Sequence, residues 1–138
     1  MSSFTSNILL EQLGTTENCE VKRKFSFYSD IYGLRVTIKK GFITDLASIP
    51  PILQGIVRAS SPKYWRAFVT HDAMYRKGVD QKQSDVMLDE ALKVLGMGAY
   101  TRAKIYYPLR IFGSPTDNEE LIENAIHCVE LDYFEIIK

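Results

Sequence analysis

A chain of 138 residues with 46% hydrophobic and 25% charged side chains has the make-up of one ordinary globular domain, large enough to bury about two-thirds of its unfolded surface. Its 17 basic side chains balance 17 acidic ones, and neither half is strongly basic, which argues against an extended nucleic-acid footprint. Cys19 and Cys128 are too few for a disulfide framework and sit in no metal-ligand spacing, so thiols in a reducing cytoplasm are expected.

Met1 to Leu10 lacks the basic start and the apolar run of a signal peptide, and nothing approaches the ~20 apolar residues of a spanning helix. Residues 1–18 are mixed and polar, with Ile8-Leu9-Leu10 able to add one strand. From Glu20, Val21, Arg23, Phe25 and Phe27 alternate with Lys22, Lys24, Ser26 and Tyr28. Leu34, Val36 and Ile38 alternate in the same way with Arg35, Thr37 and Lys39. Period-two patterning rich in β-branched and aromatic residues predicts a hairpin over about 20–40. Ser29 to Gly33 forms its loop, with Gly33 available for a positive φ. Lys22-Arg23-Lys24 and Lys39-Lys40 suit the guarding of strand edges better than nucleic-acid contact.

Gly41 to Pro51 turns the chain from sheet to helix. Ser48 is a natural N-cap with Pro50 in the first turn behind it. Ser61-Pro62 opens the main helix, which ends near Lys77-Gly78. A second helix is expected from about Lys82 to Leu95, stopping at Gly96-Met-Gly98, and a third from about Ala99 to Phe112, kinked or divided by Pro108. After Gly113-Ser-Pro115, Thr116-x-x-Glu119 is a capping box for a last helix. Tyr133 to Ile137 suits either the end of that helix or a short strand. The prediction is α+β: a single domain over 1–138, with a small N-terminal antiparallel sheet packed on a bundle of about four helices.

The chemistry concentrates in His71-Asp72-Ala-Met-Tyr75 and Ser84-Asp85. On a helix, Phe68, His71 and Tyr75 share a face, with Asp72 about 100° round the axis. In the next helix Asp85, Leu88, Leu92 and Leu95 keep the same spacing, which puts one carboxylate on the inward stripe. A carboxylate accepting from one imidazole nitrogen fixes the tautomer and makes the other a base toward water. The assignment is therefore His71 as base, Asp85 as its orienter and Tyr75 as a hydrogen-bonding partner of Asp85. Asp72, with Asp45, is the candidate cation ligand. The competing reading is a buried polar network that only joins two helices. Catalysis requires the free nitrogen to look into an open cleft; a ring sealed on every side favours the network.

No zinc-ligand spacing is present, and neither is an EF-hand, a phosphate loop or a dinucleotide fingerprint. A hard ion such as calcium or magnesium is the cofactor the carboxylates would suit. His127 has no acidic partner at helical spacing and reads as packing or surface. Tyr100, Arg102, Lys104, Tyr106 and Tyr107 form an aromatic-basic face, read either as a binding surface or as a core seam with snorkelling basic ends.

Gly41-Phe-Ile-Thr-Asp-Leu-Ala-Ser-Ile-Pro50, His71-Asp-Ala-Met-Tyr75, Ser84-Asp85 ahead of an apolar helix, and Ile111-Phe-Gly113 together resemble domain-of-unknown-function family 1353 over about residues 25–113. Residues 116–138 then form a C-terminal extension. That family occurs mainly in tailed phages and prophages, so the resemblance implies a phage origin and a location in the host cytoplasm or the virion. More locally, His71-Asp72-x-x-Tyr75 followed by Asp85-x-x-Leu88 is similar to the helix pair of the secreted phospholipase A superfamily. That similarity implies His71 as general base, Asp72 on calcium and Asp85 orienting the histidine. The Gly-rich calcium loop and the disulfides of the secreted enzymes are absent here, and Thr44-Asp45 with Ser48 would stand in for the loop. Two functions are carried forward. One is a small phage hydrolase acting on an ester or phosphoester. The other is a non-catalytic accessory protein, either a virion or tail component or an inhibitor of a host or defence protein.

Overall fold

In the computed structural model the described residues are 1–6, 10–12, 19–44, 56, 62–76, 79–112 and 134–137. They form strands β1 (Ser3–Phe4), β2 (Leu10–Gln12), β3 (Cys19–Val21), β4 (Phe25–Ser29), β5 (Leu34–Ile38), β6 (Ile43–Thr44) and β7 (Phe134–Ile137). A 3-10 turn at Pro62–Tyr64 leads into helix α1 (Trp65–Arg76), followed by α2 (Gln81–Val94) and α3 (Ala99–Phe112). One antiparallel sheet has the order β1-β4-β5-β7 and a smaller one β2-β3-β6. The class is mixed α+β, as expected, but with three helices among the described residues rather than a bundle of about four. The helices expected from Ser48 and Thr116 fall outside the described residues.

The hairpin follows the alternation. Ser29 pairs with Leu34 across the turn and Phe25 with Ile38 at the open end, while Gly33 takes φ +63°. One correction concerns its first strand, which the pattern runs unbroken from Glu20. The Val21 N–H donates to Phe42 O at 2.8 Å, and the Gly41 N–H donates to Val21 O at 2.8 Å. These bonds draw Val21 into the second sheet, and β4 starts only at Phe25. The face meant for solvent is also partly covered. Ser26 and Thr37 stand opposite each other and share a buried hydrogen bond of 2.8 Å.

α1 is buried on every side from Ala67 to Tyr75, not along one stripe. It packs between the sheets and α2, with Phe68 and Met74 joining Phe25, Phe27 and Ile38 of the hairpin, Met87, Leu88 and Leu92 of α2, and Ile105 and Leu109 of α3. Full burial of a large apolar side chain contributes ~1.5–3 kcal/mol, so this seam holds the layers together. Arg66, at the start of α1, donates to Ser6 O at 2.6 Å and lies 4.8 Å over the Phe4 ring, and burial lowers its guanidinium pKa.

α2 begins at Asp80, whose carboxylate accepts from the Gln83 N–H at 3.1 Å, a side-chain cap on an otherwise orphaned donor. It ends in a Schellman closure, with Met97 N–H to Leu92 O and Gly96 N–H to Lys93 O, both at 3.0 Å. Gly96 there takes φ +96°, the conformation such a stop requires. α3 runs through Pro108 without dividing. The two capped ends fix the axial position of Asp85 against α1.

Candidate active site around His71

α1 and α2 bring His71 and Asp85 together as their stripes imply. His71 Nε2 lies 2.9 Å from Asp85 Oδ1. The other oxygen, Oδ2, accepts from an Arg110 guanidinium nitrogen of α3 at 3.1 Å. A carboxylate only accepts, so the proton between them belongs to Nε2. The unprotonated nitrogen of the neutral ring is then Nδ1. Arg110 lies in the last turn of α3, and nothing in the sequence marks it as reaching back 25 residues to the buried acid.

Tyr75 lies one turn beyond His71 and packs its ring against the imidazole, with centroids 6.2 Å apart and planes 21° from parallel. The described donors to Asp85 are His71 on Oδ1 and Arg110 on Oδ2, and the expected bond from Tyr75 is not among them. Asp72 also departs from expectation. It is 0% exposed, and its Oδ2 accepts from the Thr44 hydroxyl of β6 at 2.6 Å. The side chain expected to lie off the inward stripe therefore anchors α1 to the second sheet. Asp45 lies outside the described residues.

Calcium takes six to eight oxygen ligands. Among the described residues no group of three His, Cys, Asp or Glu side chains could hold a metal ion, and one Asp72 oxygen is already committed to Thr44. The described residues do not fit the cation that the phospholipase similarity implies.

Two buried side-chain nitrogens lack a hydrogen-bonding partner among the described residues: Trp65 Nε1 and His71 Nδ1. Leaving such a group unsatisfied costs about 1–3 kcal/mol, so a ring placed only to join two helices would be expected to use both nitrogens. The ring is nonetheless sealed. His71 is 1% exposed and Asp85 1%, so among the described residues the open cleft required of the free nitrogen is not found in this conformation.

The aromatic-basic face of α3 splits in two. Arg102 turns to Asp89 at 3.1 Å and to Met97 O at 3.1 Å. Tyr100 and Tyr107 stay exposed, and Tyr106 meets Tyr107 edge-on with centroids 5.4 Å apart. Sequence reading also missed Glu90, 7% exposed on α2. Its carboxylate accepts from Ser29 Oγ at 2.6 Å, from Ser2 Oγ, and from the Asp30 and Ile31 N–H groups at 2.9 and 3.3 Å. Its partners lie 59 to 88 residues away in sequence, so nothing local to Glu90 marks that role.

Among protein families, the one described as "Protein of unknown function (DUF1353)" matches residues 19–109, close to the expected core of about 25–113. No curated protein and no solved structure matches the chain. No helix among the described residues is long and apolar enough to cross a membrane.

Proposed function

The chain belongs to the DUF1353 family, and from that premise we propose that it is a small phage-encoded hydrolase in which His71, sealed at 1% exposure in this conformation, activates water toward an ester or phosphoester only once a movement opens Nδ1 to solvent. The carrying observation is the line Arg110–Asp85–His71 ending on a buried Nδ1 with no partner among the described residues. Asp85 orients the ring and stabilises the imidazolium that forms as water is deprotonated. Arg110 holds Asp85, and Tyr75 keeps the ring plane fixed. No metal step is included, because the described carboxylates do not gather into a site.

The test is turnover of p-nitrophenyl acetate, bis-p-nitrophenyl phosphate and phospholipid vesicles by the purified chain, with and without chelator. The reading expects hydrolysis of one of them, unaffected by chelator. His71→Gln should lower it by ~10²–10⁴-fold, the usual weight of a general base, while the variant remains folded. Hydrolysis that survives His71→Gln contradicts this reading, as does a folded chain that hydrolyses none of the three.

The 1% exposure of His71 favours a second reading, a non-catalytic phage accessory protein whose network is internal mortar. That reading expects no turnover, a large loss of stability in His71→Gln, and a stable complex recovered from infected cells.

A further inference from the structure

The outward side of α3 is the least ordinary surface among the described residues. Tyr100 is 76% exposed, Tyr107 62% and Ile111 71%, with exposed Lys104 between them. Their spacing of four, three and four residues places all four on one narrow stripe, opposite Ile105 and Leu109, which face the core. Three large exposed side chains on one stripe, with a lysine among them, are the raw material of an interaction surface.

We propose that this stripe is a two-heptad seam on which a second copy of the chain packs, helix against antiparallel helix. Alternating steps of four and three residues are the a and d positions of a coiled coil, and the pattern is its own mirror about the middle of the helix. Tyr100 lies as far before that midpoint as Ile111 lies after it, and Lys104 and Tyr107 are placed likewise. A two-fold axis there sets Tyr100 against Ile111 of the second copy and Lys104 against the ring of Tyr107. Lys104 Nζ already sits 4.3 Å over its own Tyr100 ring, so in the pair it lies between two aromatic faces, a favourable place for a cation.

The charges favour a second copy over an acidic partner. α3 has no acidic residue, but Arg102 and Arg110 are engaged by Asp89 and Asp85. The seam therefore presents a single cation, and symmetry supplies its aromatic partner. A 14-residue helix is about 21 Å long, so the seam is two heptads and no more.

Sedimentation equilibrium of the full chain should give a mass that rises with concentration from 15.8 kDa toward twice that value. Ile111→Glu should hold the chain at the monomer mass. Lys104→Leu should tighten pairing by roughly tenfold, since a lone lysine at an a position costs stability. In a Cys19→Ser, Cys128→Ser background, a mixture of Tyr100→Cys and Ile111→Cys chains should form a mixed disulfide that neither forms with itself. A constant monomer mass overturns the proposal, including the case of a monomer that binds an acidic peptide or anionic vesicles through this face. A dimer that survives Ile111→Glu overturns it too.

Discussion

Asp85 is the most constrained side chain of the site, since it faces a ring nitrogen and a guanidinium at once. Arg110 is 32% exposed, so its charge stays partly solvated when Asp85 is removed, but the buried His71 Nε2–H is left without its acceptor, at a cost of ~1–3 kcal/mol. Asp85→Ala should therefore lower unfolding free energy by about that amount in urea titration; a loss well under about 1 kcal/mol, typical of exposed pairs, would mean that the three groups do not act together. Thr44→Val tests the other carboxylate. Asp72 then loses a hydroxyl donor to a charged acceptor, worth about 1.5–3 kcal/mol, whereas Thr44→Ser should restore most of it. Equal effects of Val and Ser would assign the loss to packing rather than to the hydroxyl.

At the scale of elements, Glu90 and the Ser26–Thr37 pair do different work. Glu90 gathers two hydroxyls and two backbone N–H groups of the N-terminus and the hairpin turn onto α2, so Glu90→Ala should unlatch that turn. Amide exchange at Asp30 and Ile31 should then speed up well ahead of exchange in α1; uniform acceleration would mean that the carboxylate is not a local latch. The Ser26–Thr37 bond should behave as a closed pair. Thr37→Val alone strands the Ser26 hydroxyl and costs ~1–3 kcal/mol, while Ser26→Ala with Thr37→Val is close to neutral, as a double-mutant cycle would reveal.

The hairpin was legible because alternation at period two is local, and so were the α2 and α3 spans, which end in glycine or at the Ala99 start. Less was legible at α1. A helix buried all round has no polar face to set a phase, so the stripe through His71 set that ring against Asp85 but said nothing of what Asp72 faces. The partners that decide each acid were also out of reach. Thr44 lies 28 residues from Asp72, and Ser29 lies 61 from Glu90, and no periodicity encodes such pairings.

Across the whole molecule, the polar groups set the response to alkali. Burial raises the Cys19 thiol above its ordinary 9.0. Burial, followed by the negative field of Asp80, Tyr106 and Glu90, raises the Tyr32 phenol above 10.0. Both groups hold their protons more tightly folded than unfolded. Their contribution is complete below the ordinary values and is lost as pH climbs past them, because the unfolded chain then binds fewer protons. Melting temperature should accordingly fall from about pH 9 upward, and a flat profile to pH 11 would contradict these placements.

The functional account and the fold meet in the protonation of one ring, which three helices hold and which a hydrolase would use as its base. With only two histidines in the chain, nitrogen-15 NMR of the imidazoles, with His127→Gln for assignment, reads that ring directly. The expected spectrum at neutral pH has a protonated Nε2 and an unprotonated Nδ1 on His71. A proton on Nδ1, in either the other tautomer or the imidazolium, would remove the lone pair on which the reading stands.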